Sequence, residues 1–123
     1  MSNINQNFQA HADLFKVLSH PTRLAILSIL RESEQCVCHL EAMLKLRQAN
    51  ISQHLMILKE AGLVEDRRDG WNVYYHITEP HIFALIDDVY QIKGMPAPVQ
   101  HVHADGNCPC PLCEQKDQSE ACC

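Results

Sequence analysis

Aromatic residues make up only 6% of this 123-residue sequence, so its core must be built from aliphatic side chains. No apolar run approaches the ~20 residues that a membrane-spanning helix requires. A glycine-rich phosphate loop is absent, and so are paired carboxylates set for acid–base chemistry. Ser52 and His54 are two apart on a helical stretch and so point apart, with no aspartate placed to orient the histidine as a base. These absences argue against an enzyme. An excess of positive charge is also missing. Lys and Arg number 10 against 15 Asp and Glu, a net charge of −5, so any case for nucleic acid must come from where the charges sit. The first ten residues are rich in Asn and Gln, without a basic start and apolar stretch, so no signal peptide is expected. The expected compartment is the cytoplasm. Cysteine, by contrast, is abundant at seven residues, and in that compartment metal binding or redox chemistry is expected over a disulfide framework.

The cysteines are unevenly spread. Residues 1–93 hold Cys36 and Cys38, whereas residues 94–123 hold Cys108, Cys110, Cys113, Cys122 and Cys123. The same tail carries Pro96, Pro98, Pro109 and Pro111. Its charges are Asp105, Glu114, Asp117 and Glu120 against Lys116, and few large aliphatics are available for burial. Residues 1–93 therefore read as one folded domain and 94–123 as a flexible Cys-rich extension.

Within the domain, Phe8, Ala12, Phe15 and Leu18 have helical spacing and predict an amphipathic helix near 5–18. Pro21 suits the first turn of a second helix, whose buried stripe is expected at Leu24, Leu27 and Leu30. A short third helix near 37–45 and a fourth at about 50–61, closed by Gly62, follow. The period then changes. Two strand-like runs, 63–68 and 71–77, flank Asp69-Gly70, a hairpin signal that suggests a type I′ turn. A last helix at about 79–92 carries Ile82, Phe83, Leu85, Ile86, Val89 and Tyr90, an apolar face wide enough to suggest a partner helix and hence a homodimer. The expected fold is mainly α with a small β-hairpin: a winged helix-turn-helix.

That order places the fourth helix in the DNA major groove and the third as its brace. Local charge agrees, because Lys45, Arg47 and Lys59 are the only charged residues from 45 to 59. Gln48, Asn50, Ser52, Gln53 and His54 lie early on the fourth helix or just before it. Their amide and hydroxyl groups can bond base edges or phosphates. Arg67 and Arg68, beside the tight turn, can place charge on phosphates or in the minor groove. The expected partner is operator DNA.

Several segments are similar to the ArsR/SmtB family of metal-sensing repressors. Gln53-His54-Leu55-Met56-Ile57-Leu58-Lys59-Glu60-Ala61-Gly62-Leu63-Val64 resembles its helix-to-wing segment, Ser19-His20-Pro21-Thr22-Arg23-Leu24 its second-helix opening, and Asp69-Gly70-Trp71-Asn72-Val73-Tyr74-Tyr75 its wing. Glu34-Gln35-Cys36-Val37-Cys38-His39-Leu40 resembles the metal-binding segment of its arsenic and cadmium sensors. The resemblance covers residues 8–92. It implies a homodimeric repressor that leaves its operator when an inducer binds.

Two residues apart on a regular helix, Cys36 and Cys38 would point roughly 200° away from each other. A helix that starts there relieves this, and its dipole favours thiolate over thiol. Two thiolates are still too few for a strong soft-ion site. The third cysteine that the family's arsenic sensors place three residues on is replaced by Glu41, and the N-terminal cysteines of its cadmium sensors are absent. The remaining supply is Cys108, Cys110 and Cys113, on a tether of 14 residues with a reach of ~20 Å, with His101 and His103 nearby. The family's other zinc site, between the last helices, is matched by Glu79 and His81, but Ile92 and Met95 stand where its second half would be. His81 therefore reads as a surface or capping residue, and His20 and His76 as structural. The expected inducer is arsenite or antimonite (As(III) or Sb(III)), with Cd(II), Pb(II) or Zn(II) as competitors. A thiol-redox or persulfide-sensing repressor on the same scaffold is the rival reading.

Overall fold

The computed structural model describes residues 2–95, and the tail cysteines Cys108, Cys110, Cys113, Cys122 and Cys123 lie outside the described residues. Five helices and a three-stranded antiparallel sheet follow one another in the order expected of a winged helix-turn-helix.

Helix α1 (Ser2–Leu18) leads to α2 (Pro21–Glu32) through a sharp corner. His20 caps α2: its ring Nδ1 accepts from the Thr22 amide at 3.1 Å, and Pro21 occupies the first turn, where no amide donor is needed. This gives His20 the structural role expected of it. The buried stripe of α2 is rotated from the one expected. Leu24 is 38% exposed, whereas Ile26, Leu27, Ile29 and Leu30 are buried. A helix this central is covered on a face wider than a single stripe, so spacing alone does not fix its orientation.

A short strand β1 (Gln35–Cys36), unforeseen in the sequence, follows and runs straight into α3 (Val37–Leu44). Helix α3 ends at Lys45, the one non-glycine residue with positive φ (55°) among those described. Helix α4 (Gln48–Glu60) begins two residues earlier than expected and is followed by Gly62 at φ 78°. Strands β2 (Val64–Asp69) and β3 (Asn72–Ile77) form the wing, and α5 (Ile82–Lys93) ends at Gly94, φ 68°.

Asp69 pairs with Asn72, so the two-residue loop is Gly70-Trp71 rather than Asp69-Gly70. Of those two only Gly70 has positive φ, at 61°. The turn is therefore of the II′ kind, which needs glycine at its first central position, and not the I′ turn that Asp-Gly suggested.

The sheet order is β1-β3-β2, which makes β1 the third strand of the wing sheet. The core is aliphatic as the composition required: Ile26, Leu27, Leu40, Ile51, Leu55, Leu58 and Val64 are fully buried. It holds α2, α3 and α4 together beneath the wing, fixing the recognition helix relative to its brace.

Candidate nucleic-acid interface and thiol site

Helix α4 is anchored by Ile51, Leu55 and Leu58 at i, i+4 and i+7. Gln48, Asn50 and Gln53 are left exposed, with Ser52 half-buried, so four of the residues expected to read DNA lie on or near the open surface of this helix. Met56 joins them at 59% exposure, three residues beyond Gln53 on the same face. Sequence reading missed it because a methionine within Leu-Met-Ile-Leu looks like core. The signal was its spacing from Gln53. An exposed thioether there can contact a thymine methyl.

His54, also expected on DNA, is half-buried and makes contacts within the chain. Its Nδ1 accepts from Arg23 Nε at 3.2 Å, and its ring lies 4.4 Å from that of His20, centroid to centroid. Arg23 also donates through Nη1 to the Val17 carbonyl at 3.1 Å. One arginine thus ties the end of α1 and the start of α2 to the recognition helix. The His54 ring uses Nδ1 as an acceptor, which a protonated ring could not do. Burial, then the neighbouring His20 and Arg23, push His54 below the ordinary histidine value of 6.5. The unfolded chain therefore takes up a proton at His54 before the folded chain does. The cluster's contribution is complete above pH ~6.5 and is lost as pH falls from there towards the folded-state value. Urea midpoints compared at pH 7.5 and 5.5 should fall more for the native chain than for His54→Gln. Equal falls would remove His54 as the source.

Arg67 and Arg68 are consecutive on β2, so their side chains leave opposite faces of the wing. Arg68 is exposed. Arg67 makes a two-bond ion pair with Glu34, Nη2 to Oε1 at 2.5 Å and Nε to Oε2 at 3.1 Å. Its guanidinium also lies 4.9 Å over the Tyr74 ring. The Arg67 hydrogen bonds hold the Glu34 carboxyl below the usual carboxylate range. Lys59 Nζ bonds Asp66 at 2.6 Å and fastens the end of α4 to β2. Trp71, at the wing tip, is fully exposed.

The thiols lie where the chain passes from sheet to helix. Cys36 is both a β1 residue, paired with Tyr74, and the N-cap of α3, its Sγ accepting from the His39 amide at 3.3 Å. Its extended backbone (φ −79°, ψ 159°) removes the helical geometry that would aim Cys36 and Cys38 apart. The amide donor and the helix N-terminus place partial positive charge at the sulfur, against the burial that opposes ionisation. Cys36 is only 1% exposed, whereas Cys38 is half-buried, so an ion arriving from solvent meets Cys38 first. Among the described residues no three His, Cys, Asp or Glu side chains are grouped so as to hold a metal ion. A metal site built on these two thiols would have to draw a further ligand from beyond residues 2–95 or from another chain. His81 is exposed at the N-cap of α5, its ring Nδ1 2.7 Å from Glu79 Oε1, in keeping with the surface position expected.

A recognition helix, its brace and a wing in this arrangement match other known regulators. Residues 20–66 fit the family model described as bacterial regulatory protein, arsR family. The sequence is 41% identical over 88 residues to an uncharacterized HTH-type transcriptional regulator of Methanocaldococcus jannaschii, covering 68% of this chain and 99% of the relative. The chain belongs to the ArsR family. It is also 41% identical over 92 residues to the arsenical resistance operon repressor of Escherichia coli, covering 71% of this chain and 78% of the repressor. A solution structure of a homodimeric winged helix-turn-helix DNA-binding domain from Mycobacterium bovis, a possible ArsR-family regulator, superposes with a TM-score of 0.65 at 27% identity. That match covers 80% of this chain and 96% of the domain. As an ArsR-family protein, this chain is a winged helix-turn-helix transcriptional repressor and not an enzyme. No helix among its described residues is long and apolar enough to cross a membrane.

Proposed function

We propose that this ArsR-family repressor binds operator DNA as a homodimer and releases it when arsenite or antimonite is taken up by cysteine thiolates. Cys36 and Cys38 supply two, and one of Cys108, Cys110 and Cys113 supplies the third. The observation that carries this reading is the position of Cys36, at once the cap of the brace helix α3 and a strand residue of the wing sheet. An ion drawn to it pulls on both parts of the DNA-binding surface. Three thiolates in a pyramid suit As(III), whereas zinc takes four ligands in a structural site. The dimer is supported by the homodimeric neighbour and by exposed apolar residues on α1 and α5.

DNA contacts are assigned to Gln48, Asn50, Ser52 and Gln53 on α4 and to Arg67 and Arg68 on the wing. His54 acts by positioning α4. Each wing arginine removed from a phosphate should lower the slope of log affinity against log salt by about one. An unchanged slope in Arg68→Ala would take that residue off the DNA.

The deciding experiment uses the full chain under anaerobic reductant, with a duplex that the protein itself selects from a random-sequence pool. Arsenite at one equivalent per subunit should release the DNA. Release that needs an oxidant or a persulfide donor instead would establish the redox reading, and release by Cd(II), Pb(II) or Zn(II) alone would establish a divalent-ion sensor.

A further inference from the structure

The pairing registers place Cys36 opposite Tyr74 and Tyr74 opposite Arg67, so these three residues form one row across β1, β3 and β2. Directly paired residues project from the same face of a sheet, close enough for their side chains to interact. The Arg67 guanidinium lies over the Tyr74 ring, and its charge is held by Glu34, two residues before Cys36. The wing arginine expected to reach phosphate is therefore fastened, in the DNA-free protein, to the segment that carries the thiols.

We propose that Glu34 and Arg67 form a latch. Arg67 must leave Glu34 to contact DNA phosphate, and an ion on Cys36 opposes that departure by holding in place the segment that carries Glu34 two residues earlier. This rests on the inducer reading of Cys36 given above and adds a second route by which the ion acts, through the wing as well as through α3. The physical content is a competition between one carboxylate and one phosphate for the same guanidinium, both of which it can grip in two-bond geometry. Linkage fixes the sign: an ion that weakens DNA binding must bind the latched state more tightly than the released one. Glu34 and Tyr74 are then positioning residues, and Arg67 is a phosphate contact whose availability is regulated.

The test is a double-mutant cycle on the full-length protein with Glu34→Gln, Arg67→Gln and the pair, measuring operator affinity against salt with and without arsenite. Glu34 and Arg67 both have solvent-accessible side chains, so the variants keep the fold. Without arsenite, Glu34→Gln should tighten DNA binding about fivefold, for two latches per dimer each worth what an exposed ion pair is worth. The same substitution should change little once Arg67 is already Gln. Arsenite should release Glu34→Gln less completely than the native chain. Equal tightening by Glu34→Gln in both backgrounds would show a general charge effect and overturn the latch. An arsenite response unchanged by Glu34→Gln would overturn its link to the thiols. If arsenite fails to release the native chain, it is the inducer reading that falls, and the ion-free half of the cycle still decides whether Glu34 and DNA compete for Arg67.

Discussion

Cys36→Ser and Cys38→Ser proteins are expected to bind operator DNA normally and to ignore arsenite. Serine is a preferred N-cap, and its hydroxyl can accept from the His39 amide as the Cys36 sulfur does, so α3 should start where it does now. What is lost is the soft-ion ligand. With a coupling of about 2 kcal/mol per site, two sites multiply to about 10³-fold in DNA affinity, all of which should vanish. Fluorescence anisotropy of a labelled operator, titrated with arsenite under reductant, reads both properties in one experiment. Cutting the chain after Gly94 divides the site further. A truncated dimer that keeps DNA but needs far more arsenite for release would make the tail thiolates true ligands. Release at unchanged arsenite would make the tail a scavenger and leave Cys36 and Cys38 acting with some other group.

The second large effect is expected at the dimer contact. On α1, Ile4, Phe8 and Phe15 are exposed, and on α5 so are Val89 and Ile92, the last at 81%. Apolar side chains gathered on the first and last helices are what an isolated protomer leaves for its partner to cover. The face is not quite the one the sequence suggested. Ile82 and Phe83 are buried in the protomer's own core, where Phe83 lies beneath Arg31, and Ile86 is half-buried against that core. On α5 the interface is therefore expected at Val89 and Ile92. The double variant Phe15→Glu, Ile92→Glu should be monomeric at micromolar concentration in sedimentation and should lose at least ~100-fold in operator affinity. A single half-site leaves little beyond non-specific attraction. A native chain that sediments as a monomer would remove the interface, and a variant that stays dimeric would place it elsewhere.

The fold was largely legible because its signals are local. Period 3.6 gave way to period 2 after Gly62, Pro21 marked a helix start, and an acid-free stretch from Lys45 to Lys59 marked the helix for DNA. The thiol pair was legible too, since a helix start is a local event and Cys36 does cap one. What sequence reading missed depends on partners distant in the chain. Two residues, Gln35 and Cys36, are too short a run to show strand periodicity, and they become a strand only because β3 offers Tyr74 and Tyr75 as partners.

The sequence by itself therefore determined the order of elements, the family, the polar face of the recognition helix and the start of a helix at the thiol pair. Only the tertiary structure decided how these are joined. It tied His54 to Arg23, 31 residues earlier, which donates to its ring. It bound Arg67 to Glu34, 33 residues away, and lined up Cys36, Tyr74 and Arg67 across three strands. A hydrogen bond or an ion pair is a property of two positions in space. Neither residue's neighbours in the chain record who the partner will be, so the connection between the thiols and the wing exists only once the sheet has formed.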